Sequence, residues 1–231
     1  MFSYYGSKSK IAKYYPAPNH LTIVEPFAGS ARYSLRWFWF DVTLIEKDEK
    51  VFAVWDFLQK ASPRDILSLP DVENGVPLNS LPNWQQMSDG ERYLIGFCSN
   101  GGSSQPKNVS GRHNFNSWNR DKKRISESLH KIRHWNIIQG DYEVAPDIDG
   151  TWFIDPPYQI KGKWYKHHEI DYPALAAWSK SRKGQVMVCE NEGADWLPFV
   201  HLRDIPFTHF KSQSDLRRKT SEAVFYKEKN G

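Results

Sequence analysis

The amino-acid sequence predicts an α/β fold: a doubly wound, mostly parallel sheet with a smaller, mainly helical region inserted into it. Short β-branched apolar runs alternate with segments of helical periodicity in the first part of the chain, and the same alternation returns in the last part. A proline-rich stretch between them breaks the alternation and indicates the insertion. A length of 231 residues allows one full-sized domain with such an insertion.

The first strands and helices are predicted near the N-terminus. Residues 21–25 form a short apolar run that ends at a proline, as expected of a buried parallel strand. A glycine turn leads from this strand into a predicted helix over residues 31–38. Residues 42–45 predict a second strand, and residues 49–59 have the apolar spacing of a second helix.

The predicted main domain covers residues 1–60 and 135–231, and the insertion covers residues 61–134. Prolines recur in the insertion at positions 63, 70, 77, 82 and 106. Ser88, followed three residues later by a glutamate, is a helix start signal. A second helix of the insertion is predicted over residues 120–134.

Regular alternation resumes after the insertion. Strands are predicted over residues 136–139, 151–154, 185–189, 202–205 and 222–226. A helix over residues 172–182 lies between the second and third of these strands, with Asp171 as its N-cap and Pro173 in its first turn.

Composition excludes several classes of protein. No apolar run approaches the roughly 20 residues that span a bilayer. The N-terminus lacks the basic and apolar segments of a signal peptide, so we expect a cytoplasmic protein with no membrane partner. The two cysteines, Cys98 and Cys189, have no CxxC partner, which argues against a disulfide framework and a zinc site. We expect no metal.

Charge and aromatic content favour a nucleic-acid partner. The net charge is +4, a small excess in the direction that a polyanionic partner requires. The basic residues gather near predicted loops rather than spreading evenly along the chain. Aromatic residues make up 15% of the sequence, and proteins use aromatic rings to hold a base lifted from its stack. We assign most of these rings to the core and a few to a site.

The segment Asp155-Pro156-Pro157-Tyr158 directly follows an apolar strand. Ligands of open parallel sheets bind at the carboxyl ends of the strands, so this loop is placed to act on a ligand. The two prolines fix φ and leave carbonyl acceptors on a rigid turn. These carbonyls and the Asp155 carboxylate can accept both hydrogens of an exocyclic amino group, and Tyr158 offers a ring face to the base that carries it.

This arrangement suits methyl transfer to an exocyclic amine. The amino nitrogen of a base is conjugated with its ring and is a poor nucleophile. Accepting its hydrogens frees a lone pair for in-line attack on a sulfonium methyl, without a metal or a covalent intermediate. A Pro-Pro-Tyr ligand of WW domains would instead lie in a disordered proline-rich segment, and this motif follows a buried strand.

Two other strand ends carry candidate binding residues. Glu25 ends the first predicted strand and leads into the turn of Phe27, Ala28 and Gly29, where the backbone can approach a ligand closely. The turn is not the GxGxxG dinucleotide fingerprint. Glu46 ends the next strand, a position that suits an acidic residue accepting hydrogen bonds from a ribose diol.

Five segments, in this order, resemble those of the Dam-type (alpha-group) DNA adenine-N6 methyltransferases. They are Tyr4-Tyr5-Gly6-Ser7-Lys8, Glu25-Pro26-Phe27-Ala28-Gly29-Ser30, Glu46, Gly140-Asp141-Tyr142 and Asp155-Pro156-Pro157-Tyr158. The resemblance covers nearly the whole chain. It implies a Rossmann-like methyltransferase fold with S-adenosylmethionine as the cofactor.

The resemblance also implies a role for each segment. The residues implied at the cofactor are Tyr4, Gly6, Lys8, Glu25, Phe27, Ala28, Gly29, Glu46, Asp141 and Asp155. In the family, the N-terminal segment closes over the cofactor and the glycine turn holds its methionine part. Glu46 would then bind the ribose, Asp141 would lie near the cofactor adenine, and the segment from Asp155 through Pro156 and Pro157 to Tyr158 would hold a flipped target adenine.

Double-stranded DNA is the partner that the resemblance implies. The residues expected to contact it are Arg112, Asn114, Asn116, Arg120, Lys122, Lys123, Arg217, Arg218 and Lys219. The insertion matches the position of the family's target-recognition region, but it lacks the family's Asn-Gly-x-x-Arg-x-Asn run. Ala31 also stands where the family usually has a glycine.

We therefore expect an enzyme that flips adenine out of DNA and methylates its N6. Its expected origin is bacterial or bacteriophage, and the sequence is compatible with a monomer. Cytosine-N4 methylation is the alternative in chemistry, because that exocyclic amine poses the same electronic problem. A non-catalytic nucleic-acid-binding protein would be expected to have lost Lys8, Gly29, Glu46 or Asp155, and the sequence has lost none of them. A nicotinamide-dependent oxidoreductase is disfavoured by the absence of GxGxxG.

Overall fold

The computed structural model describes residues 1–100, 102–111, 117–160, 162–206 and 219–228, and its centre is a seven-stranded mixed sheet. The strands are β1 (Thr22–Glu25), β2 (Asp41–Glu46), β3 (Asn136–Gln139), β4 (Asp149–Ile154), β5 (Lys183–Asn191), β6 (Val200–Pro206) and β7 (Lys219–Lys227). Their order across the sheet is β3-β2-β1-β4-β5-β7-β6. Strand β7 pairs antiparallel with both β5 and β6, and the other pairs of neighbouring strands are parallel. The α/β fold and all seven predicted strands are confirmed, and the sheet is compatible with a Rossmann-like fold.

In the part of the chain that the structure describes, five α-helices accompany the sheet. They are α1 (Glu49–Lys60), α2 (Pro63–Ser68), α3 (Asp89–Cys98), α4 (Trp118–Ser128) and α5 (Tyr172–Ser181). The predicted N-cap of α5 is confirmed, since the Asp171 side chain accepts a hydrogen bond from the Ala174 N–H at 2.9 Å. Among the described residues, no helix is both long and apolar enough to cross a bilayer.

Apolar side chains fill both faces of the sheet. In β4, Phe153 belongs to one core cluster, whereas Trp152 and Ile154 belong to the other. This alternation is the two-residue period of a strand that is buried on both faces. Helix α1 supplies Trp55 to the first cluster, and helix α5 supplies Leu175 to the second.

Residues 61–134 share one apolar core with the sheet. Phe97 of α3 and Trp118 of α4 lie in the same cluster as Trp55 of α1, and all three are fully buried. Helix α3 approaches α1 closely at Gly90, where an added Cβ would lie 2.5 Å from the Ala53 carbonyl oxygen. The region is therefore packed onto the main core through helices α1 and α3.

The predicted helix over residues 31–38 is wrong: the structure has only a 3₁₀ turn over Ser34–Trp37. Ala31 has a φ of +45°, a left-handed conformation that a helix cannot include. The Glu25 carboxylate accepts hydrogen bonds from Ser34 Oγ at 2.5 Å and from the Ser34 N–H at 3.3 Å. A carboxylate nine residues earlier in the chain thus holds a short turn where the local spacing predicts a helix. The helix predicted over residues 120–134 is also shorter, since α4 ends at Ser128 and continues as a 3₁₀ turn.

Strand order places a crevice beside β1. This strand pairs in parallel with β2 on one side and with β4 on the other. The chain leaves β1 toward β2 and returns later to β4, so the winding direction reverses between β1 and β4. Such a reversal opens a crevice at the carboxyl ends of the two strands, where doubly wound sheets bind their ligands.

The cap of α3 provides a test of the fold. Ser88 accepts from the Glu91 N–H, and the Glu91 carboxylate accepts from the Ser88 N–H at 2.7 Å. Ser88→Ala should lower the free energy of unfolding by about 1 kcal/mol, which corresponds to a melting temperature lower by roughly 2–4 °C. Ser80→Ala, which removes an exposed hydroxyl that caps no helix N-terminus, should leave the melting temperature nearly unchanged. Equal shifts for both variants in thermal denaturation would contradict this assignment.

Candidate active site

An open pocket lies at the carboxyl ends of β1, β2 and β4, the edge where parallel sheets bind their ligands. Four segments form its walls: the N-terminal residues 4–8, the turn 25–32 after β1, the residues 46–48 after β2, and residues between 155 and 170 after β4. Asp141, after β3, completes the lining. All ten residues that the sequence places at the cofactor line this one pocket.

The N-terminal segment lies against the turn after β1. Ser30 Oγ donates a hydrogen bond to Ser7 Oγ at 3.0 Å, and Arg32 Nε donates to the same oxygen at 3.0 Å. The ring of Tyr4 covers Gly29, where an added Cβ would lie 3.2 Å from the ring carbon Cδ1. The segment is therefore held over the pocket by specific contacts with the glycine turn.

The glycine turn is held by β2 and α1. The Ala28 N–H donates to the Ile45 carbonyl at 3.1 Å, and the Gly29 N–H donates to Glu46 Oε2 at 2.8 Å. Trp55 Nε1 donates to the Gly29 carbonyl at 2.8 Å. Gly29 has a φ of +45°, which glycine adopts without steric cost. These hydrogen bonds hold the turn of Ala28 and Gly29 in place in the pocket lining.

Two buried glutamates, Glu25 and Glu46, form part of the pocket lining. Glu46 accepts from the Gly29 N–H and, at 2.9 Å, from the Asp48 N–H. Burial raises the pKa of Glu46 to about 7, against the opposing effect of these backbone hydrogen bonds. Burial likewise raises the pKa of Glu25 to about 8, opposed by its hydrogen bonds from Ser34. Glu46 is thus positioned at the pocket as predicted, with two backbone donors already bound.

Asp141 lies at the other end of the lining. Its carboxylate forms an ion pair with Lys47 at 2.6 Å and accepts from the Tyr142 N–H at 2.8 Å. The rings of Phe27 and Tyr142 stack next to it with their centroids 5.7 Å apart. A flat apolar surface and a carboxylate therefore lie side by side at this end.

Asp155, at the end of β4, belongs to a buried polar cluster that consists of Lys8, Tyr15, Asp155, Tyr158 and Glu222. Lys8 Nζ lies 2.8 Å from Asp155 Oδ1 and 3.4 Å from Glu222 Oε1. The hydroxyls of Tyr15, at 2.5 Å, and of Tyr158 both donate to Glu222 Oε1. Two carboxylates, one ammonium and two phenols thus share one small volume next to the pocket.

Burial shapes the ionisation of the polar cluster. Burial alone would lower the pKa of Lys8, but Asp155 and Glu222 outweigh it and hold that pKa well above its ordinary value. The pKa of Asp155 is raised by burial, with Lys8 lowering it and Glu222 raising it further. The pKa of Tyr158 is raised well above its usual range, mainly by burial and then by Asp155. At neutral pH the Lys8 side chain is therefore a cation and the Tyr158 phenol is neutral.

The rest of the Asp-Pro-Pro-Tyr segment is less accessible than the sequence predicts. Pro157 lines the pocket, but its carbonyl accepts a hydrogen bond from the Tyr172 hydroxyl at 2.9 Å. Pro156 is buried outside the lining. The ring of Tyr158 also lies outside the lining, and Lys8 Nζ lies 4.5 Å from its centroid. Asp155 is thus the residue of this segment whose carboxylate faces the pocket.

Three functional candidates escaped the sequence analysis. Glu222 of β7 and Tyr15 join the polar cluster, and neither belongs to a short motif. His167 lines the pocket, and its Nε2 is buried with no hydrogen-bond partner among the described residues. A buried polar atom of this kind calls for a partner, which a bound ligand can provide.

The residues expected at DNA are placed only in part. Arg112, Asn114, Asn116, Arg217 and Arg218 lie outside the described residues, as does the side chain of Lys219. Arg120 is 81% exposed at the N-terminal end of α4, and Lys123 is exposed beside it. The Lys122 ammonium instead binds Asp71 and, at 2.9 Å, the Leu69 carbonyl, so it serves the packing of α4 on α2.

No family model matches the chain, and no curated protein matches it. Among the described residues, no group of three or more His, Cys, Asp or Glu side chains is arranged to hold a metal ion. The interpretation of the pocket therefore depends on its own geometry and on the sequence segments that form it.

The raised pKa of Glu25 predicts a pH-dependent stability. Because this pKa is about 8 in the folded protein and near 4.5 ordinarily, the contribution of Glu25 to stability is fully present below pH 4.5 and is lost as the pH rises toward 8. Glu25→Gln keeps an oxygen acceptor for Ser34 and cannot ionise. The free energy of unfolding of the variant should therefore fall less between pH 5 and pH 8 than that of the original protein. The difference between the two falls should be on the order of a few kcal/mol.

Urea denaturation at both pH values measures this difference. The exposed Glu127→Gln serves as a matched control and should keep the pH dependence of the original protein. If the free energy of unfolding of Glu25→Gln changed between pH 5 and pH 8 as much as that of the original protein, Glu25 would have to be ionised already in the folded protein at pH 5.

Proposed function

We propose that this protein transfers a methyl group from S-adenosylmethionine to the exocyclic N6 of adenine in double-stranded DNA. The observation that carries the proposal is the position of Asp155, which lines the open pocket at the reversal point of the sheet while its carboxylate is paired with Lys8. Every residue expected at the cofactor lines the same pocket, although these residues come from five separate segments of the chain.

The pocket fits the parts of S-adenosylmethionine. Glu46 ends β2 at the place where an acidic residue accepts from a ribose diol in doubly wound sheets. The ring of Phe27, which lines the pocket and stacks on Tyr142 behind it, offers an apolar surface to an adenine, and Asp141 of the same lining offers an acceptor. The methionine part would then contact the glycine turn and the N-terminal segment, whose Lys8 is paired with Asp155. When bound, S-adenosylmethionine supplies a sulfonium methyl group as the electrophile.

Asp155 would act on the amine that receives the methyl group. A carboxylate has about four acceptor positions, so Asp155 can accept from an amino group while it stays paired with Lys8. Accepting an amino hydrogen localises the nitrogen lone pair, which then attacks the methyl carbon in line with the departing sulfur. The new N–C bond replaces the C–S bond, and the amine loses its proton toward Asp155.

Access to Asp155 requires the target base to leave the DNA helix. The Asp155 side chain is only 20% exposed, and an exocyclic amine that stays inside a duplex cannot reach it. Residues 61–134 and the exposed basic residues Arg120 and Lys123 would contact the duplex, and phosphate contacts would make this binding salt-dependent. The segments that contain Arg112 and Arg217 would add further contacts. The pocket geometry serves cytosine N4 by the same chemistry, and the family resemblance favours adenine.

Replacing the carboxylate tests the proposed chemistry. Asp155→Asn keeps the size of the side chain but removes the charge, so the rate of methyl transfer to duplex DNA should fall about 100-fold or more. Asp56→Asn, an exposed substitution on α1, should keep the original rate. The measurement uses radiolabelled S-adenosylmethionine and unmethylated duplex DNA. An Asp155→Asn enzyme with a near-normal rate would remove Asp155 from the chemistry.

The glycine turn gives an independent test of cofactor binding. Gly29→Ala forces a side chain into a left-handed backbone position, against the Tyr4 ring and within the turn that faces the pocket. The dissociation constant of S-adenosylmethionine, measured by titration calorimetry, should rise about 10-fold or more, a free-energy cost of roughly 1.4 kcal/mol. Gly193→Ala is the matched control, with a φ of +95° and only an ordinary contact at 3.5 Å. Equal affinities of the two variants would exclude the turn from the cofactor site.

A further inference from the structure

Glu222 is a buried acidic residue that belongs to none of the segments predicted to form the site. It lies on β7, opposite Asn191 of the neighbouring antiparallel strand β5, and only 4% of it is exposed. Its carboxylate belongs to the polar cluster and lies 3.4 Å from Lys8 Nζ, which is also paired with Asp155. A buried carboxylate without partners is strongly unfavourable, so these contacts have to compensate for the loss of water.

One oxygen of Glu222 collects three donors. Glu222 Oε1 accepts from the Tyr15 hydroxyl at 2.5 Å and from the Tyr158 hydroxyl, and it lies 3.4 Å from Lys8 Nζ. Tyr158 adjoins Asp155 in the Asp-Pro-Pro-Tyr segment, and Lys8 is paired with Asp155 directly. Glu222 therefore contacts both of the groups that border the reacting carboxylate.

The formal charge of the polar cluster depends on Glu222. With two carboxylates, one ammonium and two neutral phenols, the cluster carries one net negative charge. Without Glu222, the pair of Lys8 and Asp155 alone would be neutral. Methyl transfer moves positive charge from the sulfonium to the accepting amine, so net negative charge beside that amine stabilises the transition state more than the ground state.

We infer that Glu222 is a positioning residue of the methyl-transfer site. It holds Lys8 and the ring of Tyr158 in place, and its charge offsets that of Lys8, so that Asp155 faces the amine with an uncompensated negative charge. The inference rests on the proposed function, and it adds a residue from β7 to a site otherwise formed at the ends of β1, β2, β3 and β4 and by the N-terminal segment. Glu222 acts through Lys8 and Tyr158 and does not itself touch the substrate.

Two substitutions separate the charge of Glu222 from its shape. Glu222→Gln keeps an oxygen acceptor for the two phenols and removes the charge, whereas Glu222→Asp keeps the charge on a shorter side chain. We expect Glu222→Gln to lower kcat about 10-fold, with the KM for S-adenosylmethionine changed by less than about twofold. Glu222→Asp should recover a large part of kcat. The exposed Glu192→Gln is the matched control and should keep the original constants.

Two further measurements distinguish this role from a purely structural one: the pH dependence of kcat and the kcat of a double variant. Removing the charge of Glu222 should lower the pKa of Asp155, so the acidic limb of the kcat profile should shift to lower pH in Glu222→Gln. Tyr158→Phe keeps the ring and loses the hydroxyl. If Glu222 acts partly through that hydroxyl, the loss in the double variant Glu222→Gln/Tyr158→Phe should be smaller than the product of the two single losses.

The experiment is steady-state methyl transfer by these variants, alongside thermal denaturation of each, on a protein whose unsubstituted form has been shown to be active. A failure of the proposed function would appear in the unsubstituted protein, and a failure of the present inference only in the variants. An unchanged kcat in Glu222→Gln would overturn the inference. So would a Glu222→Asp variant that folds and is as slow as Glu222→Gln, because the negative charge would then have no effect.

Discussion

The buried ammonium of Lys8 is the interaction on which the rest of the site depends. Two carboxylates, Asp155 and Glu222, lie on either side of it, and all three groups are largely withdrawn from water. A buried charge costs several kcal/mol unless it is paired, so none of the three is favourable alone. Because Lys8 comes from the N-terminal segment, Asp155 from the end of β4 and Glu222 from β7, this single interaction fixes three distant parts of the chain around one pocket.

The strand order explains why the pocket forms where it does. Parallel strands end at the same edge of the sheet, and the reversal between β1 and β4 leaves a crevice at that edge. The turn after β1 enters the crevice in a left-handed conformation, held by the Glu46 carboxylate from β2 and by Trp55 from α1. The glycine turn, Glu46 and Asp155 thus lie around one pocket because the topology of the sheet brings the ends of β1, β2 and β4 to the same edge.

The antiparallel strand β7 gives the site a feature that a purely parallel sheet would lack. Its pairing with β5 brings Glu222 next to Asn191 at the carboxyl end of β5, close to the end of β4. The additional carboxylate raises the negative charge beside Asp155 and raises the pKa of that group. Together with Asp155, the same carboxylate holds the pKa of Lys8 well above its ordinary value, so Lys8 remains a cation at neutral pH.

Most of the fold could be predicted from sequence, because the strands are short apolar runs with clear ends and the helices have caps such as Asp171 and Ser88. Glu25, Glu46 and Asp155 could be singled out from sequence because each lies at a strand end, whereas Tyr4 and Lys8 were expected from the family resemblance alone. The helix expected after Gly29 could not be corrected from apolar spacing, because that spacing does not indicate the left-handed backbone of Ala31 or the hydrogen bonds from Ser34 to Glu25. Glu222 could not be found either, because it is one acid within a strand and its partners, such as Tyr158, lie far away in sequence.

Mass spectrometry of nucleosides from duplex DNA incubated with the protein and deuterium-labelled S-adenosylmethionine tests the central claim most directly. The account predicts N6-methyladenine that carries the labelled methyl group. Labelled N4-methylcytosine would keep the chemistry of Asp155 and contradict the choice of base. No labelled nucleoside, from a protein that binds the cofactor, would contradict the account of this pocket as a DNA-methylating site.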